Sequence, residues 1–207
     1  MKRILKDYPE ISLKAEILKG TVDFTGLFGR SGPVQIEIGS GKGTFLLSQA
    51  QANPDVNFLG IEWANKYYRY AVDRIGRWRL KNVRLIRTDS ADFIARRLAA
   101  DSVDCFHIYF PDPWPKKRHH KRRFLNQANF ELLLRALKTG GMIQIATDHE
   151  DYFRQIKDIV RQNSNSLEQS DFLPAAGAQA GEIAGTNYER KYIKDDKQVF
   201  KIAVRKT

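Results

Sequence analysis

Five short apolar runs recur through the chain, at 34–38, 57–61, 83–87, 103–110 and 142–146, each followed by a stretch with helical spacing. Runs of that length are strands, and the stretches at 44–48, 64–75, 91–98 and from Gln127 to about Gly140 supply the helices between them. Strand, helix and strand without hairpin turns close as parallel neighbours through right-handed crossovers. A strand such as 103–110, apolar apart from Asp104 and His107, needs cover on both faces. The expected fold class is therefore α/β, a doubly wound, mostly parallel, Rossmann-like sheet. Alternation at 198–205 adds a C-terminal strand, expected to be antiparallel, and a short strand is expected at 167–172. Asn126 is placed to cap the fourth helix, and Gly140-Gly141 to end it.

In sheets of this kind a ligand lies beyond the carboxyl ends of the strands. Reading along those ends gives Glu37, Glu62, Asp89, Asp112 and Asp148, one carboxylate for each strand. The first strand runs into Gly39-Ser40-Gly41-Lys42-Gly43, where glycines allow a tight turn and close approach of the backbone to a ligand. A pyrophosphate-bearing dinucleotide would be repelled by so many carboxylates, and the turn is G-x-G-x-G rather than G-x-G-x-x-G. S-adenosylmethionine has a sulfonium, an ammonium and ribose hydroxyls but no phosphate. Glu62 would hold its ribose, Asp89 would face the adenine amino group, and Glu37 with Gly39 and Gly41 would border the amino-acid end. A pair of these carboxylates could instead bind Mg²⁺, although no metal is expected.

The fourth strand leads into Tyr109 to Arg123, which reads YFPDPWPKKRHHKRR. A rigid turn offers one carboxylate, Asp112, beside a flat aromatic, Trp114, and a run of cations follows directly. That pairing suits chemistry on a nucleobase within a nucleic acid. Lys117, Arg118, Lys121, Arg122 and Arg123 are expected to hold the backbone phosphates. Arg69, Arg74, Arg77, Arg79 and Lys81 could extend the track or form a solvated helix face. The whole chain points the same way: 35 Lys and Arg against 24 Asp and Glu give +11, a balance that favours polyanionic partners.

At 207 residues the chain is read as a basic N-terminal arm over 1–32, with Lys19 and Arg30 as possible phosphate contacts, and a single domain over 33–207. The lone Cys105 rules out a disulfide framework or a Cys-based zinc site within the chain and reads as a buried thiol. His107, in a buried strand, reads as structural. No stretch of 18 apolar residues occurs, so the expected localisation is cytoplasmic. The segment 163–185 is poor in apolar residues and is either a lid or slack.

The segments Glu37 to Gly43, Gly60-Ile61-Glu62, Pro111 to His119, Thr147-Asp148 and Thr186-Asn187-Tyr188-Glu189 together resemble the tRNA (guanine-N7-)-methyltransferases, within the class I S-adenosylmethionine-dependent methyltransferases. The resemblance runs from about Val34 to the C-terminus in the family's motif order. It implies that Glu37, Glu62, Asp89 and Asp112 line the S-adenosylmethionine pocket. It further implies that Lys116, Asp148, Thr186, Asn187, Tyr188 and Glu189 contact substrate, a guanine in the variable loop of tRNA. The partner expected is tRNA, with the protein a monomer or homodimer. Two other readings stay open: methylation of an exocyclic amino nitrogen, and an RNA-binding module that has lost the chemistry.

Overall fold

β2 (Val34–Ile38), β3 (Asn57–Ile61), β4 (Val83–Ile86), β5 (Val103–Tyr109) and β6 (Leu137–Thr147) form the parallel centre of the sheet. The structure is a computed structural model that describes residues 4–178, 182, 185, 189–190 and 198–207. After a short α1 (Phe24–Phe28), the helices α2 (Thr44–Ala52), α3 (Asn65–Gly76), α4 (Ser90–Arg97), α5 (Gln127–Ala136) and α6 (Glu150–Gln162) alternate with these strands, as the periodicity predicts. With β1 (Ser12–Leu13), β7 (Leu167–Ser170) and β8 (Phe200–Lys206), the order across the sheet is β1-β4-β3-β2-β5-β6-β8-β7. β8 runs antiparallel to both β6 and β7. Succession along the chain reverses between β2 and β5, which makes that crevice the switch point.

The period of two in β5 divides the core. Phe106 and Ile108 join the cluster beneath α4, α5 and α6, whereas Tyr109 joins Phe45, Ala71 and Ile75 beneath α2 and α3. His107 sits on the second face, where its Nδ1 meets the Tyr109 hydroxyl at 2.8 Å and its Nε2 meets Gln35 Oε1 at 2.8 Å. Because an amide oxygen only accepts, Nε2 carries the proton and the Tyr109 hydroxyl donates to Nδ1. Burial pulls the imidazole down to about 3, so it stays neutral, and burial pushes the Cys105 thiol up to about 12. Both residues are structural, as read from the sequence.

Two features depart from the sequence reading. The fourth helix stops at Ala136 rather than at Gly140-Gly141. Leu137 is already extended, fully buried and paired with Val103, so burial of one leucine ends the helix early, and the glycines fall inside β6. The arm is also built into the fold. Ser12 and Leu13 pair in parallel with Leu85 and Ile86, and Ile11 is fully buried. Tyr8 lies where any side chain at position 76 would stand, which fits the glycine found there. Arg30 donates from Nε to Asn57 Oδ1 at 2.8 Å, which ties the arm to the start of β3.

Candidate active site

The sheet register brings the acidic strand ends together. Ile86 pairs with Ile61, Ile61 with Ile38, Ile38 with Ile108 and Ile108 with Ile145, so one row of isoleucines crosses all five parallel strands. Each of the five strand-end carboxylates lies within four residues of that row. The glycine turn after β2 and the Pro111 to Pro115 turn after β5 leave the sheet side by side, with Glu62 on one flank and Asp148 on the other.

The glycine turn is held from its neighbour. Gly41 N–H donates to Glu62 Oε2 at 2.8 Å, and Ala64 N–H donates to Glu62 Oε1 at 2.7 Å. Each carboxylate oxygen keeps a lone pair for a hydroxyl. Gly39 and Gly41 take φ of +75° and +53°, the left-handed region that a side chain would strain, and nothing lies within 4 Å of where a Cβ on Gly39 would stand. Glu37 is buried beneath this turn, and its Oε2, like Ser40 Oγ, has no partner among the described residues. Burial, and secondarily the nearby Glu62, raises the Glu37 carboxyl well above the usual carboxylate range. A buried carboxyl without a partner, under an open glycine cradle, fits a ligand that brings a cation and hydroxyls.

Asp89 is exposed and caps α4 by accepting the Asp92 N–H at 2.9 Å, and Asp148 is half-buried just ahead of α6. Asp112 is exposed in a turn whose shape is fixed by three prolines, Pro111, Pro113 and Pro115, and by positive φ at two non-glycine residues, Phe110 (+52°) and Trp114 (+43°). Trp114 packs its ring edge-on to His119 at 5.9 Å, and the Arg122 guanidinium lies 5.0 Å over it. Lys116, Lys117, Arg118, Lys121 and Arg122 are exposed, and Lys117–Arg122 form a 3₁₀ helix that presents the cations outward. Glu189 is fully buried and accepts the Gly185 N–H at 2.8 Å, whereas Thr186, Asn187 and Tyr188 lie outside the described residues.

Arg123 is a correction to the sequence reading. Its side chain is 1% exposed and turned into the protein, so it cannot lie against a phosphate. In the second basic series, Arg77 pairs with Asp73 at 3.2 Å and Arg74 donates to Thr44 Oγ1, so these two belong to the helix packing. The structure also adds Trp63, 67% exposed directly after Glu62, which no sequence argument singled out. Its place beside a candidate ribose ligand was the available signal. A cavity of about 450 Å³ lies away from these carboxylates, between Gln35, Gln49, His107 and Gln144 on one side and the 173–176 segment on the other. The carboxylate edge, rather than that cavity, is the site by its chemistry.

A family described as "Putative methyltransferase" matches residues 31–202. The tRNA (guanine-N(7)-)-methyltransferase of Rhodopirellula baltica is 33% identical over 198 residues, which cover 92% of this chain and 72% of that protein. The protein of the same name from Nitrosococcus oceani is 41% identical over 145 residues, 70% of this chain but only 61% of that protein, so less than two thirds of its length is spanned. Among solved structures, a 30S ribosomal A1408 methyltransferase from an uncultured bacterium aligns with a TM-score of 0.60 at 15% identity, covering 90% of this chain and 95% of that chain. That likeness is one of fold. By the family match and by identity over nearly its whole length, the chain belongs to the tRNA (guanine-N(7)-)-methyltransferase family.

Proposed function

We propose that this chain methylates N7 of a guanine in the variable loop of tRNA, with S-adenosylmethionine as methyl donor. The observation that carries the reading is the strand register, which sets the Asp112 turn between the glycine cradle and the outward-facing basic 3₁₀ helix. When bound, S-adenosylmethionine supplies an electrophilic methyl group on its sulfonium. Glu62, with a lone pair left on each oxygen, would take its ribose hydroxyls; Glu37, Gly39 and Gly41 would border its amino-acid end and Asp89 its adenine.

Guanine N7 has a free lone pair and no proton, so attack on the methyl group needs no general base. The protein's work is to hold the base in line, worth several kcal/mol. Asp112 orients the base and stabilises the positive charge that develops on the purine. Asp148, half-buried at the acidic edge, with Thr186, Asn187 and Tyr188, recognises the guanine, whose adjacent N1–H and amino group match a carboxylate, while Glu189, fully buried, holds the Gly185 N–H. Lys116 contacts the substrate, and Lys117, Arg118, Lys121 and Arg122 hold its backbone. We place the encounter with tRNA in the cytoplasm; no helix among the described residues is long and apolar enough to cross a membrane.

The test is transfer of labelled methyl from S-adenosylmethionine to unmodified tRNA, with the product nucleoside identified. Wild type should yield N7-methylguanosine, and Asp112→Ala should lose about 100-fold in kcat. Tight tRNA binding with no transfer would leave a binding module instead.

A further inference from the structure

We propose that Arg123 is a positioning residue, which locks the Asp112 turn to α6 and so fixes Asp112 relative to Asp148. The proposal rests on the methyl-transfer reading above. Among the described residues the Asp112 carboxylate makes no hydrogen bond of its own, so its place depends on the backbone of a turn that is strained at Phe110 and Trp114. Arg123 holds that backbone. Its Nε donates to the carbonyl oxygen of Pro113, the residue directly after Asp112, at 2.8 Å. Its Nη1 donates to Gln155 Oε1 at 2.7 Å, and its Nη2 to Asp151 Oδ2 at 2.7 Å and to His120 Nε2 at 3.1 Å.

The anchor on the far side is rigid. Gln155 and Asp151 stand on α6, the helix that Asp148 precedes. The Arg123 guanidinium lies 4.7 Å over the ring of Tyr152, whose hydroxyl accepts the Leu125 N–H at 2.8 Å, and Gln155 Nε2 donates to Leu125 O at 2.8 Å. One planar fork thus spans the acidic turn, the basic 3₁₀ helix through His120, and the helix that the second carboxylate directly precedes. A lysine offers a point charge and cannot make the four bonds together.

The test compares wild type, Arg123→Met, Arg123→Lys and Asp151→Ala. Positioning predicts that Arg123→Met lowers kcat at least tenfold, with KM for tRNA and the salt dependence of binding unchanged, because misplacement of about 1 Å can cost 100-fold. Arg123→Lys should not restore kcat. Asp151→Ala removes an exposed negative charge, so it should bind tRNA as tightly or more tightly and still lose several-fold in kcat. In a Trp63→Phe, Trp78→Phe background Trp114 is the sole tryptophan, and Arg123→Met should change its emission and its quenching by acrylamide.

A raised KM and a shallower salt slope with kcat intact would make Arg123 a phosphate contact and overturn the proposal. Full kcat in Asp151→Ala or in Arg123→Lys, or an unaltered Trp114 signal, would overturn it as well. Failure of the functional reading is separable: wild type would then transfer no methyl to tRNA, while the Trp114 signal would still report whether Arg123 holds the turn.

Discussion

At the scale of single residues, the site spends stability to keep a buried carboxyl ready. Glu37 is desolvated beneath the glycine cradle, so the folded state holds its proton more tightly than the unfolded chain does. The sign follows from linkage. The folded state is favoured below the ordinary carboxylate range, and that advantage is lost as pH rises through the raised value. Glu37→Gln removes the penalty. Its Tm should exceed that of wild type by an increasing margin, on the order of a few degrees by pH 8, and the gap should close toward pH 4. The same variant should bind S-adenosylmethionine about tenfold more weakly, as read by titration calorimetry. A Tm difference independent of pH would mean that Glu37 is not the group that carries this cost. Glu37, Glu62, Asp89, Asp112 and Asp148 could be found from the sequence because each lies at, or within a few residues of, the carboxyl end of an apolar run. Arg123 could not: within a run of cations every member looks alike, and its place just before Phe124-Leu125, where the chain turns apolar, was the only hint of burial.

At the scale of elements, the short 3₁₀ helix Lys117–Arg122 separates two tasks that the sequence presents as one basic run. Its outward cations face solvent, and Arg123, at its end, faces in. Replacing Lys117, Arg118, Lys121 and Arg122 together by Ala should make the log–log slope of tRNA affinity against salt shallower by about three, because each lost phosphate contact removes roughly 0.7 to 0.9. A filter-binding series across salt concentrations reads this directly, and an unchanged slope would place the RNA track elsewhere. The strands were legible here because a doubly covered strand is continuously apolar. The end of α5 was not, since the choice between helix and strand at Leu137 is made by its partner Val103, far away in sequence.

At the scale of the whole molecule, the sheet is closed at one edge by the segment that reads least like structure. β1 has only two residues, neither fully buried, so periodicity had nothing to register, yet Ile11 beside it is fully buried. Ile11→Ala should therefore destabilise the protein by about 2 to 4 kcal/mol in urea unfolding. A change below about 0.5 kcal/mol would show the arm to be a loose appendage. The sheet exists, in this account, to hold a guanine N7 in line with a methyl donor at its acidic edge. The most direct measurement is labelled methyl transfer to two tRNA transcripts, one made with guanosine and one with 7-deazaguanosine, which lacks the accepting nitrogen. Transfer to N7 predicts label in the first, recovered as N7-methylguanosine, and none in the second; comparable label in both would mean that another atom accepts the methyl group.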